Sequence, residues 1–233
     1  MLTTESHAKR EALEVMQPIL VHLQQAERRL VENNMTWHEY KKHEPIYHEG
    51  QKADNLFIVV KGTVKIFRVG VCQRPQIIRM LKSGQMFGYR ASIANEPYVT
   101  SAAAFGPVSL CVLPMALVNQ LMSKKPTLQH FFMAELATDL GTADKRIVSL
   151  TQKHIRGRMA EALLSIRDIF GLDKSGNINI DITREEIACY ANMTTSNAIR
   201  TMSAFSQENL IGFDNKRIKL LNDEELLHIS LRG

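Results

Sequence analysis

The chain of 233 residues contains little cysteine and few aromatic side chains, with three Cys and one Trp. Cys72, Cys111 and Cys189 lie far apart, and such an odd, scattered set favours free thiols over a disulfide framework. No CxxC pair occurs and no cysteine precedes Cys72. The sequence therefore argues against a cysteine-held zinc or iron–sulfur site.

Long apolar runs and enzyme signatures are also absent from the sequence. No apolar run approaches the roughly 18 residues of a membrane-spanning helix, and the N-terminal stretch lacks the apolar core of a secretory signal. We therefore expect a cytoplasmic protein with no membrane partner. Nucleophile-elbow, P-loop, HExxH and dinucleotide-binding motifs do not occur, so we expect that the chain is not an enzyme.

The formal net charge of +5 is compatible with nucleic-acid binding but is spread unevenly along the chain. Residues 151–221 contain 10 Lys and Arg against 8 Asp and Glu, a net of only +2. Any attraction of this part of the chain to DNA must therefore come from local basic patches.

Hydrophobic patterning changes from helical to strand-like near residue 40. Residues 8–34 are rich in helix formers, whereas the following region has short β-branched runs punctuated by glycine. The run LFIVVKGTVKIF predicts two strands joined by a turn at Lys61-Gly62, and PQIIRML and VSLCVLP predict further strands. We expect a small β-barrel or jelly roll over about 36–114.

A heptad pattern follows in the helical section from Pro126 to His154. Its apolar positions are spaced alternately three and four residues apart, over roughly 30 Å of helix. Such a stripe is typical of a dimer seam, and the alternative is a helix that packs on its own β-domain. The seam comprises Met133, Leu136, Leu140, Ala143, Ile147 and Leu150.

Residues 183–211 have the pattern of two short helices joined by a tight turn. Thr183 and Glu186 form the T-x-x-E spacing of a capping box, Asn192 suits a left-handed turn, and Thr194 suits a second N-cap. Helical spacing buries one stripe of the second helix and exposes the other. The buried stripe is Ala198, Met202 and Phe205, and the exposed residues are Thr195, Ser196, Asn197 and Arg200.

This arrangement is typical of a DNA-reading helix-turn-helix, whose second helix enters the major groove. Arg200 suits a bidentate contact to guanine, and Asn197 suits adenine. A hairpin in IGFDNKRIKLL, turning at Asp214-Asn215, would add a basic wing, and a closing helix is expected from Asn222-Asp223. We assign phosphate contacts to Thr183, Thr194, Lys153, Arg156, Lys216, Arg217 and Lys219. The alternatives are an α-hairpin used only for packing and basic patches that are only solvated.

The motifs GRMAEALL, TREEIACYANMT and NAIRTMSAFSQENLI, with SGQMFGY in the β-region, resemble the Crp/Fnr superfamily of bacterial transcription factors. The resemblance covers roughly residues 25–221. It implies an α+β fold with a cyclic-nucleotide-binding-type β-barrel, a dimerisation helix and a winged helix-turn-helix, over 1–125, 126–154 and 155–233. It also implies a homodimer on a palindromic operator and an effector site between the barrel and the dimerisation helix, and leaves RNA polymerase as a further candidate partner.

The expected effector site departs from the family pattern at three places. Nucleotide-binding members have Gly-Glu where this chain has Gly88-Tyr89, and Arg-Ser where it has Thr100-Ser101. A Thr-Ser pair of the dimerisation helix is replaced by Ala143-Asp144. A buried phosphate without its arginine is poorly compensated, so we expect an effector other than cyclic AMP. The expected pocket comprises Gly88, Tyr89, Arg90, Thr100, Ser101, Ala143 and Asp144.

Three alternatives remain at the level of the sequence. The first is a haem-binding family member, with axial ligands drawn from His38, His43, His48, Cys72, Cys111 or methionine. The second is oxidant sensing at Cys72. The third is a ligand-binding module that acts on a protein partner. The recognition helix also departs from the family at Thr195 and Ser196, so the operator should differ from the best-known half-site.

Overall fold

A computed structural model describes residues 2–70, 73–214 and 217–232, with side chains from residue 9 onward. The chain divides into two compact units, one formed by Met1–Arg68 and Ile78–Leu140 and the other by Val69–Ile77 and Gly141–Gly233. The expected three-part division of the chain stays a prediction.

Three helices precede the first strand: α1 (Leu2–Val15), α2 (Gln17–Leu20) and α3 (Gln25–Asn34). The start of α3 is fixed by a capping box, in which the Gln24 amide donates to Glu27 Oε2 at 2.8 Å. Apolar side chains of this helical segment, among them Met16 between α1 and α2 and Ile19 and Leu20 of α2, are buried against the β-region. The helical character predicted for residues 8–34 is confirmed, with breaks near Met16 and Gln24.

Within the described residues, eight strands form the β-region between the N-terminal helices and Met115. They are β1 (Thr36–Tyr40), β2 (Pro45–Tyr47), β3 (Asn55–Lys61), β4 (Thr63–Val69), β5 (Pro75–Lys82), β6 (Met86–Phe87), β7 (Ser101–Ala104) and β8 (Val108–Pro114). One sheet has the order β1-β8-β3-β6 and the other β2-β7-β4-β5. The sheets are not closed, so the β-region is a jelly-roll-type sandwich and not a barrel.

The predicted turn at Lys61-Gly62 does not make a hairpin, because β3 and β4 belong to different sheets. Gly62 has φ +86°, and a Cβ there would lie 2.2 Å from the Pro107 carbonyl oxygen. Only glycine therefore fits where the chain passes from one sheet to the other.

Strand β3 explains why the first unit has two cores. Its side chains alternate, so that Leu56 and Ile58 face the helices while Phe57 and Val59 lie between the sheets. All four are buried. Helices α4 (Tyr89–Ile93) and α5 (Met115–Lys124) complete the packing, and Leu117 and Leu121 of α5 join the helix-side core.

Helix α6 (Pro126–Gln152) has 27 residues and contains all residues of the predicted seam. Met133, Leu140 and Ile147, spaced seven apart, are 58%, 64% and 59% exposed. Leu136 and Leu150 are half-buried. A row of exposed large apolar side chains on one helix face is unusual for a surface that stays in water.

The second unit contains α7 (Ile155–Phe170), α8 (Arg184–Tyr190), α9 (Thr195–Gln207), β9 (Ile211–Asp214), β10 (Arg217–Leu220) and α10 (Asp223–Arg232). The hairpin pairs Arg217 with Asp214, and the Asn215 of the predicted turn lies outside the described residues. The predicted start of α10 is confirmed, because Asn222 Oδ1 accepts from the Glu225 amide at 3.0 Å.

For the stretch GLDKSGNINI the sequence predicts a loop followed by a short strand, and the predicted strand is wrong. Within this stretch only isolated bridges form, from Leu172 to Ile178 and from Asn177 to Lys219. Asp173 Oδ1 accepts from the amides of Ser175 and Asn177 at 2.8 and 2.9 Å. This local side-chain bonding replaces the strand ladder with a turn.

Candidate nucleic-acid interface and effector pocket

The first helix of the two-helix motif is fixed at both ends by its own sequence. Thr183 Oγ1 accepts from the Glu186 amide at 3.1 Å, and the Thr183 amide donates to Glu186 Oε2 at 2.9 Å. This reciprocal pair is the predicted capping box. At the other end Asn192 has φ +51°, so the left-handed turn expected there is confirmed.

Helix α9 presents its predicted reading face to solvent. Thr194 caps it by accepting from the Asn197 amide at 3.2 Å. Ala198, Met202 and Phe205 are fully buried, which fixes the rotation of the helix about its axis. The opposite face is therefore accessible to a DNA groove, with Thr195, Ser196 and Arg200 exposed and Asn197 half-buried.

Several basic side chains assigned to phosphates pair instead with acids of the same unit. Arg156 donates to both carboxylate oxygens of Glu208 at 2.8 and 2.6 Å, and this bond holds the pKa of Glu208 below its ordinary value. Lys153 lies 3.2 Å from Glu161. Phosphate contact by these side chains requires that they leave the acids, so their assignment stays a prediction.

The wing shows the same pattern of pairing. Arg217 donates to Asp173 Oδ2 at 2.7 Å and to Asp181 Oδ1 at 3.2 Å. Lys219 is exposed, and Lys216 lies outside the described residues. Because acids neutralise the charge of Arg217, the wing presents less positive charge to a ligand than its sequence predicts.

Two arginines donate hydrogen bonds to backbone carbonyls at the turn between α8 and α9. Arg158 donates to the carbonyl oxygens of Ala191 and Asn192 at 3.3 and 3.4 Å. Arg146 donates to the Tyr190 carbonyl, and its guanidinium lies 4.5 Å from the centroid of the Tyr190 ring. These bonds satisfy carbonyls at the end of α8 that lack helical partners. The role of Arg146 was not predicted from the sequence, because its partner lies 44 residues away.

The first unit contains a cavity of about 170 Å³ where four predicted effector residues meet. These residues are Gly88, Tyr89, Arg90 and Thr100. The rings of Tyr47 and Tyr98 stack in its wall with centroids 3.7 Å apart. Burial raises the pKa of both tyrosines, which keeps them neutral hydrogen-bonding groups at ordinary pH.

An ion pair that was not predicted from the sequence joins two lining residues of this cavity. Arg79 of β5 donates to Asp139 Oδ2 of α6 at 2.6 Å. Arg90 lies 2.7 Å from Glu96 and is more exposed. Burial, with the nearby Asp139 and Glu135 charges, raises the pKa of Tyr89.

The other predicted pocket residues lie apart from this cavity or remain untested. Ser101 Oγ accepts from the Glu49 amide at 3.0 Å. Ala143 and Asp144 belong to the second unit, so a cavity within the first unit does not test them, and they stay predictions.

The candidate haem ligands do not share a site in the described residues. His38, His43 and His48 are exposed, and His38 Nε2 lies 3.1 Å from Thr36 Oγ1. Cys111 is buried with its Sγ 3.6 Å from Met16 Sδ, and burial raises the pKa of this thiol to about 12. Cys72 lies outside the described residues. Nowhere in the described ranges do three or more His, Cys, Asp or Glu side chains form a group that could hold a metal ion.

No helix in the part of the chain that the structure describes is long and apolar enough to cross a membrane.

Comparison with known proteins identifies both units. Residues 37–125 match the cyclic nucleotide-binding domain family, and residues 157–229 match the Crp-like helix-turn-helix domain family. The two matches together cover more than half of the chain.

Similar proteins extend over most of the chain. The CRP-like cAMP-activated global transcriptional regulator of Mycobacterium tuberculosis is 23% identical over 191 residues, or 81% of this chain and 85% of that protein. The global nitrogen regulator of Synechococcus elongatus is 23% identical over 188 residues, which cover 79% and 85% of the two chains.

Among solved structures, FixK2 from Bradyrhizobium japonicum has a TM-score of 0.74 at 23% identity, covering 84% of this chain and 97% of that one. This likeness shows the shared fold. Together with the capped two-helix motif and the two domain matches, it shows that the chain belongs to the Crp/Fnr family of DNA-binding transcriptional regulators with an effector-binding domain.

Proposed function

We propose that this chain is a cytoplasmic homodimeric regulator that binds a palindromic operator and responds to an effector other than cyclic AMP. The observation that carries the DNA-binding part is the rotation of α9, which buries Ala198, Met202 and Phe205 and exposes Thr195, Ser196 and Arg200. Arg200 provides the strong base contact, and the neighbouring hydroxyls provide weaker ones.

The exposed apolar row on α6 supports a dimer. Met133, Leu140 and Ile147 repeat every seven residues and are all more than half exposed. Burial of such side chains yields about 1.5–3 kcal/mol each, and a heptad repeat places them all against one partner helix. A second copy of α6 would cover the row and set two reading helices on successive turns of DNA.

The cavity chemistry supports an effector other than a cyclic nucleotide. Tyr89 stands where nucleotide-binding relatives have the acid for the ribose, and Thr100 stands where they have the phosphate arginine. The cavity of about 170 Å³ is also smaller than the roughly 300–1,000 Å³ of drug-sized ligand sites. The M. tuberculosis relative is a cAMP-activated regulator, and we infer that this chain differs from it in the effector that it binds.

In the proposed mechanism the effector shifts an equilibrium between two dimer states. It acts only through its different affinity for those states, because a ligand that binds both equally shifts nothing. The active state is the one in which both α9 helices reach adjacent major grooves.

Selection from random-sequence DNA tests the DNA-binding part of the proposal. We expect an enriched two-fold-symmetric sequence whose affinity falls steeply with salt. If no sequence is enriched even at low salt, the proposal is wrong, and a module that acts on a protein partner becomes the better interpretation.

Analytical ultracentrifugation tests the dimer. Leu140→Glu places a charge in the seam and should give a monomer at concentrations where the parent chain is a dimer. Val21→Glu changes an apolar side chain that is equally exposed, at 64%, but lies outside α6, and should leave the dimer intact. A dimer that survives Leu140→Glu would rule out the seam.

A further inference from the structure

Tyr89 places a phenol in the wall of the effector cavity. It lines the cavity and is only 3% exposed, and burial raises the pKa of its hydroxyl. The phenol therefore keeps its proton at ordinary pH and is able to donate it to a ligand that enters the cavity.

The groups facing Tyr89 show what kind of atom it would bond. Arg79 lies in the same wall and is paired with Asp139 at 2.6 Å. Thr100 adds a hydroxyl, and Asp139 is the one acidic side chain among the described lining residues. Arg90 is a second lining arginine and lies 2.7 Å from Glu96. The polar end of the cavity is therefore rich in donors, and each arginine is bound to an acid that a competing acid can replace.

Apart from Arg90, the rest of the wall is apolar. It is formed by the side chains of Tyr47, Ile66, Ile78, Met86, Phe87, Tyr98 and Val99. The cavity of about 170 Å³ would hold about six waters at roughly 30 Å³ each. A monocyclic ring or a short alkyl chain with one charged group fits this volume and this wall.

We propose that the cavity binds a small organic carboxylate with an apolar body, whose carboxylate takes Arg79 from Asp139 and accepts a hydrogen bond from Tyr89. A planar carboxylate matches the fork of a guanidinium, which explains why Arg79 would exchange one carboxylate for another. The apolar body lies against the aromatic and aliphatic wall.

Release of Asp139 connects the ligand to the dimer seam. Asp139 directly precedes Leu140 on α6, and its bond to Arg79 joins α6 to β5. When the ligand binds Arg79, this connection is broken and α6 is free to shift relative to the sheet. The regulatory consequence rests on the proposed function, whereas binding of the carboxylate does not.

Isothermal titration of the full chain with benzoate and hexanoate, without DNA, tests the binding. Their neutral counterparts benzamide and hexanamide have the same shape and lack the charge. We expect the acids to bind about tenfold or more tightly than the amides, since a charged hydrogen bond contributes about 1.5–3 kcal/mol. Acids that bind no better than the amides would overturn the proposal.

Three variants test the assigned contacts. Tyr89→Phe removes one hydroxyl and should weaken benzoate binding about threefold to tenfold. Asp139→Asn removes the competitor for Arg79 and should strengthen binding by a similar factor. Arg79→Met should abolish the preference for acids over amides.

Arg68→Met is the matched control. Arg68 also pairs with a carboxylate in the first unit, Glu49 at 2.9 Å, but it does not line the cavity. Its loss should leave benzoate binding unchanged. Weaker binding in Asp139→Asn, or unchanged binding in Tyr89→Phe, would contradict the proposed contacts. DNA selection on the same preparations reports separately on the proposed function, because it needs none of these acids.

Discussion

The two-helix motif and the effector cavity are built from partners at very different distances in sequence. Within α8 and α9 the decisive bonds join residues three apart, Thr183 to Glu186 and Thr194 to Asn197. In the cavity the decisive pair, Arg79 and Asp139, is 60 residues apart. Short-range bonds form wherever the local sequence allows them, whereas the ion pair exists only after β5 and α6 have packed.

This difference determines which residues can vary in each of the two regions. The motif is constrained by helix capping and by one buried stripe, so its exposed residues are free to change with the operator. The cavity wall combines residues from several elements, and each substitution alters both the ligand site and the packing. We therefore expect the departures at Tyr89 and Thr100 to change the class of ligand, and those at Thr195 and Ser196 to change only which bases are contacted.

The largest effect is expected from the buried stripe that orients the reading face. Phe205→Ala removes a fully buried ring and should lower the free energy of unfolding of the second unit by about 3–5 kcal/mol. Urea denaturation followed by circular dichroism measures the change. Ile199→Ala on the same helix, where the side chain is 49% exposed, should change stability by about 0.5 kcal/mol or less. Equal costs at the two positions would show that the stripe does not orient α9.

The second-largest effect is expected in the recognition of DNA bases, with no change in the fold. Arg200→Ala should cost about 1–3 kcal/mol of discrimination at one base pair of each half-site. Fluorescence anisotropy with the selected operator and single-base variants measures it, and ultracentrifugation should still show a dimer. Arg10→Ala, an exposed arginine of α1 that pairs with Glu14, is the control and should bind like the parent chain. If Arg200→Ala keeps its base preference, another residue reads that position.

Capping chemistry and hydrophobic period explain most of what the sequence predicted correctly. The N-caps at Thr183, Thr194 and Asn222 need only a hydroxyl or amide followed by a free backbone N–H, so they are visible in a few letters. The strands β5 and β8 and the helix α6 were likewise visible from their apolar period. The open form of the sheets was not visible, because closure depends on strand pairing across the whole domain.

The positions of charged residues in the sequence predicted the contacts of the site less well. Arg156 and Arg217 were assigned to phosphates from local sequence, but their partners Glu208 and Asp173 are 52 and 44 residues away. The same limit hid Arg79 and Asp139. A basic residue in sequence indicates a free cation only when the fold brings no acid to it, and that information is not local.

A smaller effect is expected at the cap that begins α8. Thr183→Ala removes the acceptor for the Glu186 amide and should cost about 0.5–2 kcal/mol, while Thr183→Ser should keep most of the stability. Thr195→Ala changes an exposed threonine of the same unit and should cost less. Thermal denaturation of the three variants side by side measures the order. A loss in Thr183→Ser equal to that in Thr183→Ala would mean that packing of the methyl group, and not the cap, holds the helix start.

The smallest effect tests whether a long-range pair contributes as little as its exposure implies. The bond from Arg156 lowers the pKa of Glu208 below its ordinary 4.5, so the pair stabilises the fold above that pH and the contribution is lost as pH falls through the lowered pKa. Both side chains are 45% exposed, so the contribution should be about 0.2–1 kcal/mol. Urea denaturation of the parent chain and Glu208→Gln should therefore differ slightly at pH 7 and converge as the pH falls below the lowered pKa of Glu208. Glu224→Gln, at an exposed acid of α10, is the control and should show no such convergence. If the difference between the parent chain and Glu208→Gln persists in acid, Glu208 acts through packing and not through its charge.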